Sequence, residues 1–162
     1  MNQIATGPIE TLATAVPLEW IDYNDHMSEG YYGVAFGEAS DALLEAIGFG
    51  AAYRADTAGT FYTVETRITY EQELPLGEPI KVLTTVIGVD VKRVHLWHEL
   101  FNSAGQKAAT QESLLLHVDQ AVGKVSAMGP SLFTAAQRVR DNHVGLPGHR
   151  EVGKSIRPVL GS

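Results

Sequence analysis

The segment Glu19-Trp20-Ile21-Asp22-Tyr23-Asn24-Asp25-His26-Met27 gathers carboxylates, an amide and an imidazole into nine residues, directly ahead of a stretch with helical spacing. A helix start offers free backbone N–H groups and the positive end of the helix dipole, which can polarise a carbonyl or hold an oxyanion. A carboxylate beside such a point can serve as base or nucleophile. That combination is hydrolytic. The same residue types also suit a loop that caps a helix, and spacing alone leaves both readings open.

Positioning that loop requires a helix after it and a sheet beside it. From Glu29 to Ile47 the apolar residues Tyr32, Ala35, Phe36, Ala39, Leu43, Ala46 and Ile47 recur at steps of three and four, which predicts one helix with Ser28 as N-cap and Gly48 as C-cap. Its many small residues allow close approach to a sheet. Ala15 to Ile21 reads as a short first edge strand interrupted by Pro17, and the Gly/Ala-rich stretch after the helix reads as a connection. The period then changes to two. Thr60–Gln72, Ile80–Val89, Val94–Asn102 and Lys107–Asp119 read as four strands, with a hairpin turn at Ser103–Gln106 and a further helix at Ser131–Asn142. Strict alternation puts Phe61 and Glu65 on the same face. A helix followed by consecutive strands is α+β: an antiparallel sheet wrapped around one long central helix. Residues 1–142 form the expected domain and 143–162 a C-terminal tail. The uncovered sheet edge points to a homodimer or homotetramer.

The 162 residues carry a formal net charge of −7, which argues against nucleic acid as a partner. No apolar run is long enough to cross a bilayer, and residues 1–10 lack the features of a secretory signal, so a cytoplasmic location is expected. Cysteine is absent, which removes disulfides, zinc-thiolate sites and a cysteine nucleophile. His26, His95, His98 and His117 have no zinc-like spacing, so no metal is expected. His95 and His98 are three apart on one strand and face opposite ways; apart from His26, a surface or hydrogen-bonded role accounts for these histidines. Glu112, mid-strand between alternating residues, could be a second acidic group but reads as structural.

The loop, together with Tyr31-Tyr32 at the start of the helix and the meander that follows, resembles the hotdog-fold thioesterases of the 4-hydroxybenzoyl-CoA thioesterase type over roughly Val16 to Val122. The resemblance implies that Asp22 is the catalytic carboxylate, that Asn24 and His26 orient it or a water, and that the backbone N–H of Glu29 polarises the acyl carbonyl. One position departs from the family pattern: Asp25 stands before the histidine where glycine is usual, and aspartate tolerates a left-handed backbone less well.

Further stretches, among them Phe36–Leu44, Tyr62–Thr66, Lys92–His98 and Leu114–Asp119, resemble the betainyl-CoA thioesterases of carnitine degradation, which occur alone or fused behind L-carnitine dehydrogenase; the stand-alone form is expected here. This implies hydrolysis of betainyl-CoA to glycine betaine and CoA, with no cofactor beyond the CoA of the substrate. A quaternary ammonium is held by aromatic faces with a carboxylate nearby. Trp20, Tyr23, Tyr31, Tyr32 and Trp97, with Glu65, are the candidates, and Tyr23 and Trp97 rank first. Lys92 and Arg93, on a connection between strands, are the candidate CoA-phosphate contacts; Arg54, Arg67, Lys154 and Arg157 are the other available cations. Three rivals remain: another acyl-CoA substrate, a non-catalytic acyl-CoA or betaine sensor, and a hydratase. A hydratase would need a histidine on the central helix, which carries Glu38, Asp41 and Glu45 instead.

Overall fold

The computed structural model describes residues 6–147 together with 152, 153, 156 and 159. Strand β1 spans Ile9–Ala15; a single 3-10 turn covers Leu18–Trp20; helix α1 runs Glu29–Ala46 and helix α2 Ala51–Thr57. Strands β2 (Gly59–Tyr70), β3 (Pro79–Val89), β4 (Arg93–Phe101), β5 (Lys107–Asp119) and the two-residue β6 (Lys124–Val125) precede helix α3 (Pro130–His143). The sheet is antiparallel in the order β1-β3-β4-β5-β2, with β6 on β5. It curls around α1, the architecture that the hotdog resemblance implies.

Helix α1 buries Tyr32, Ala35, Phe36, Ala39, Ser40, Leu43 and Leu44. Most of these fall on the expected stripe; Ala46 is exposed, and Ile47, at the C-cap, packs partly buried against the cluster around Leu43. Each fully buried Phe or Leu here contributes about 1.5–3 kcal/mol. Near the helix start, Phe36 packs in one cluster with Val82, Leu100 and Ala109. Near its end, Leu43 and Leu44 pack with Val86, Leu96, Leu115 and, from α3, Leu132 and Val139. A polar chain crosses this interior: His98 lies 3.0 Å from Ser40 Oγ and 2.8 Å from Thr84 Oγ1, and the Ser40 hydroxyl donates to the Phe36 carbonyl at 2.9 Å. Burial pushes the His98 imidazole down to about 3, so it stays neutral as part of the core. His98 is hydrogen-bonded and structural, as one of the sequence readings has it.

Three elements differ from the sequence reading. The first strand is Ile9–Ala15, not Ala15–Ile21, because Pro17 ends pairing and the chain turns at Leu18–Trp20, leaving Trp20 buried. The expected connection after α1 contains α2, a seven-residue helix that buries none of its own side chains and so has no periodic stripe to read. It is docked instead by Tyr53, whose hydroxyl lies 2.9 Å from His117 Nε2 and accepts the Gly129 N–H at 2.9 Å. The third difference is a register shift in β2 between Thr63 and Glu65. This bulge reverses the alternation: Phe61 pairs with His117 and Ile68 with Gln111 on the helix side, while Glu65 and Arg67, opposite Leu114 and Glu112, face outward.

The outer face of the sheet is also covered along β4 and β5, while β2 stays largely exposed. His95 and Glu112 are both fully buried there, with Nε2 to Oε1 at 2.8 Å. Glu112 Oε1 also accepts the Gly153 N–H at 2.9 Å. Ile156 and Val159 are buried, and a Cβ built on Gly88 would meet the Val159 carbonyl oxygen at 2.6 Å. Ile156 and Val159 of the C-terminal segment therefore lie packed against the protein.

Candidate active site

The loop ahead of α1 is fixed by its own backbone. The Asp22 N–H donates to the His26 carbonyl at 3.1 Å, the Asp25 N–H to the Asp22 carbonyl at 3.0 Å, and the Asn24 N–H to the Asp22 carboxylate at 2.8 Å. Asp25 closes the turn with φ 62°, a left-handed conformation at the position where the family pattern has glycine. An L-residue adopts it at a cost on the order of 1 kcal/mol, and aspartate is among the residues that do so most readily. The loop is then tied to a distant segment: the Met27 N–H donates to Leu74 at 2.8 Å, and His26 bridges to Pro75.

These ties bring residues some forty apart in sequence to the two walls of one cleft of about 750 Å³. Asp22, Tyr23, Asn24, His26, Met27, Ser28, Glu29 and Tyr32 form one wall; Tyr70, Glu71, Gln72 and Glu73, at and beyond the end of β2, form the other. Ser28 is the N-cap of α1, yet its side chain makes no capping bond. The first two N–H groups of the helix, those of Glu29 and Gly30, have no intrahelical acceptor and start at this wall, while the Tyr31 N–H donates to the Ser28 carbonyl at 3.0 Å.

Four carboxylates (Asp22, Glu29, Glu71 and Glu73) line the cleft, with no lysine or arginine among the lining residues. His26 Nε2 lies 3.9 Å from Glu73 Oε1. Tyr32 and Tyr70 meet edge to face, with ring centroids 5.1 Å apart and planes at 84°. Burial, then Tyr70 and Glu73, push the Tyr32 phenol up to about 12. Burial and the Glu29 carboxylate raise Tyr70. Both phenols therefore remain protonated donors at neutral pH; Tyr32 donates to the Gln72 carbonyl at 3.2 Å and Tyr70 reaches the Glu29 carbonyl at 3.5 Å.

The four residues expected to act in catalysis thus converge, and of the six expected to hold the acyl group, Tyr23 and Tyr32 join them. The others do not. Trp20 and Tyr31 stack on each other at 5.7 Å and 17°, outside the cleft lining. Trp97 and Glu65 lie on the outer face, across the sheet from α1: Trp97 through the alternation of β4, Glu65 through the bulge in β2. Lys92 and Arg93 sit at the other end of the sheet. Tyr70 pairs with Ala109 and Arg93 with Leu116, seven residues apart on β5, which is about 23 Å of strand. Arg93 is also held by Asp90, at 2.6 and 2.8 Å. Lys154 and Arg157 lie outside the described residues. The residues that sequence reasoning missed are Tyr70, Glu71, Gln72 and Glu73. Their sole signal was Tyr70 at the end of an alternating strand followed by an acidic pair.

Residues 16–136 match the thioesterase-like superfamily. The chain belongs to that superfamily. The chain is 42% identical over 141 residues to an L-carnitine dehydrogenase/betainyl-CoA thioesterase of Agrobacterium fabrum, covering 86% of this chain but spanning only 28% of that relative's length. It is 31% identical over 157 residues to the betainyl-CoA thioesterase of Pseudomonas aeruginosa, covering 96% of both. Among solved structures, a hypothetical protein of Staphylococcus aureus in complex with CoA superposes with a TM-score of 0.86 at 26% identity, over 94% of this chain and 97% of that one. Among the described residues no group of three His, Asp or Glu could hold a metal ion, and no helix is long and apolar enough to cross a membrane.

Proposed function

We propose that the protein hydrolyses betainyl-CoA to glycine betaine and CoA, as a step in carnitine degradation, and that the cleft between the Asp22–Glu29 loop and the Tyr70–Glu73 segment is its active site. The observation that carries this reading is the convergence of Asp22 with the uncapped start of α1 in a cleft lined by carboxylates and tyrosines. In the reaction the acyl carbonyl accepts a hydrogen bond from the Glu29 N–H. The Asp22 carboxylate either takes a proton from water as that water's oxygen joins the acyl carbon, or attacks the carbon itself to form a mixed anhydride that water then opens. By both routes the C–S bond breaks, CoA leaves as the thiolate and takes up a proton, and glycine betaine departs as the carboxylate. Asn24 and His26 orient Asp22 and the water.

The working unit is a homo-oligomer in the cytoplasm, built from a hotdog domain over residues 1–142 with 143–162 as an appended segment. Strand β2 supports the oligomer: it is twelve residues long, lies at the edge of the sheet, and leaves Tyr62 and Val64 about half exposed. Such an edge calls for a partner. Antiparallel pairing of two β2 strands about a two-fold axis turns the far end of one sheet toward the cleft of the other. Lys92 and Arg93 of the partner subunit then stand at the cleft end, where the phosphates of CoA need cations that the cleft itself lacks.

The test is thiol release by the purified protein from betainyl-CoA, acetyl-CoA, a medium-chain acyl-CoA and 4-hydroxybenzoyl-CoA. Betainyl-CoA is expected to be hydrolysed fastest. Preference for another member keeps the reaction and discards the substrate; no release from any of them overturns the proposal.

A further inference from the structure

The assignment of thioester hydrolysis to the cleft leaves open which of its side chains choose the acyl group. The aromatic residues expected to do so from sequence are mostly elsewhere: Trp97 lies across the sheet, Trp20 and Tyr31 cover each other, and Tyr23, at 93% exposed, sits at the rim with no packing to fix its ring. Tyr70 is different. The residue is 48% exposed and lines the cleft, yet its ring is held from two sides, edge to face by the buried Tyr32 and through its hydroxyl toward the Glu29 carbonyl. An aromatic ring fixed with surface still open is the form that a cation–π wall takes.

Its charged surroundings point the same way. Asp22, Glu29, Glu71 and Glu73 share the cleft with Tyr70, and His26 is the one basic side chain among the lining residues, placed beside Glu73. CoA is itself polyanionic, so an acidic acyl pocket works against every acyl-CoA except one whose acyl group brings a positive charge. A primary ammonium would be met by hydrogen bonds to carboxylates. A fully methylated nitrogen has no proton to donate, and gains instead from an aromatic face with carboxylates a little farther off.

We infer that Tyr70 is the specificity-determining residue of this cleft, forming with Glu73 a subsite for a quaternary ammonium on the acyl group. The inference rests on the thioesterase reading of the cleft and goes beyond it by assigning the selection to the end of β2, a segment that carries no part of the Asp22 loop.

The experiment compares kcat/KM for betainyl-CoA with that for 3,3-dimethylbutyryl-CoA, its neutral isostere with carbon in place of nitrogen, in the full-length protein and in Tyr70→Leu, Tyr70→Phe and Glu73→Gln. The unaltered protein is expected to prefer the cation by at least about tenfold. In Tyr70→Leu that ratio is expected to fall by about tenfold, while Tyr70→Phe, which keeps the ring, retains most of it. Glu73→Gln is expected to lower the ratio less, and since the Glu73 side chain is 81% exposed this variant carries the test if Tyr70→Leu does not fold. A ratio near one in the unaltered protein, or one unchanged by both Tyr70→Leu and Glu73→Gln, overturns the inference while thiol release continues to support thioester hydrolysis. If the unaltered protein releases thiol from neither substrate, the thioesterase reading itself fails and the inference falls with it.

Discussion

Two histidine–carboxylate pairs lie in different parts of the molecule. His95 and Glu112, on its outer face, are 2.8 Å apart with both side chains fully buried. His26 and Glu73, at the cleft, are 3.9 Å apart with side chains 31% and 81% exposed. By closeness and burial the first looks the more functional. Its surroundings show otherwise: β4 and β5 hold it from below, and the Gly153 N–H occupies the same Glu112 oxygen from above. No cleft residue lies beside it. The looser pair stands where Asp22, the helix start and three tyrosines leave about 750 Å³ open. The buried pair is enclosed by the chain around it, whereas the looser pair stands open where a substrate can reach it.

The comparison predicts different readouts for the two regions. Asp22→Asn, in the cleft, is expected to lower turnover about 10²–10⁴-fold with an unchanged melting temperature; near-normal turnover in a folded variant would remove Asp22 from the mechanism. Glu112→Ala reverses the pattern. Stranding His95 in the interior is expected to cost about 3–5 kcal/mol, a fall in Tm on the order of 10 °C, with kcat near normal wherever the protein remains folded. A large loss of kcat without loss of stability would bring the outer face into the chemistry after all.

Acid sharpens the contrast between core and cleft. Burial holds His98 near 3 in the folded protein, against an ordinary value of about 6.5 in the unfolded chain. Between those values the unfolded chain binds the extra proton, so stability falls as pH drops below about 6.5, by about 1.4 kcal/mol per pH unit from this group, until pH nears 3. Burial also lowers His117 and His143, which add to the loss in the same direction. Denaturant titrations at pH 7, 6 and 5 measure the slope, and His98→Gln should flatten it even while lowering stability at pH 7. The smallest effect is expected at the rim: His26→Gln should change stability by less than about 1 kcal/mol, as for other exposed pairs, and a clearly larger loss in denaturant titration would show that the loop leans on Glu73.

Short-range information was well written in the sequence. The α1 stripe and the meander after it follow from periods of 3.6 and 2 that each residue contributes to locally, and strand β5 lies where alternation puts it. The cluster Asp22, Asn24, His26 and Glu29 was legible for the same reason, because it fits within a single loop and helix start. Helix α2 was not, since its residues are held by Tyr53 and His117 rather than by a stripe of their own.

The far wall of the cleft was beyond local reading altogether. Nothing near Tyr70 indicates that it will stand opposite Asp22; the backbone ties from Met27 to Leu74 and from His26 to Pro75 decide that. Nor does alternation reveal which side of the sheet Glu65 takes. One extra residue at the β2 bulge reverses the parity of everything before it relative to everything after it, and the bulge is a property of two paired strands. The sequence by itself determined the elements, the family and the first wall of the site. Only the tertiary structure decided the second wall, and with it which aromatic rings line the cleft.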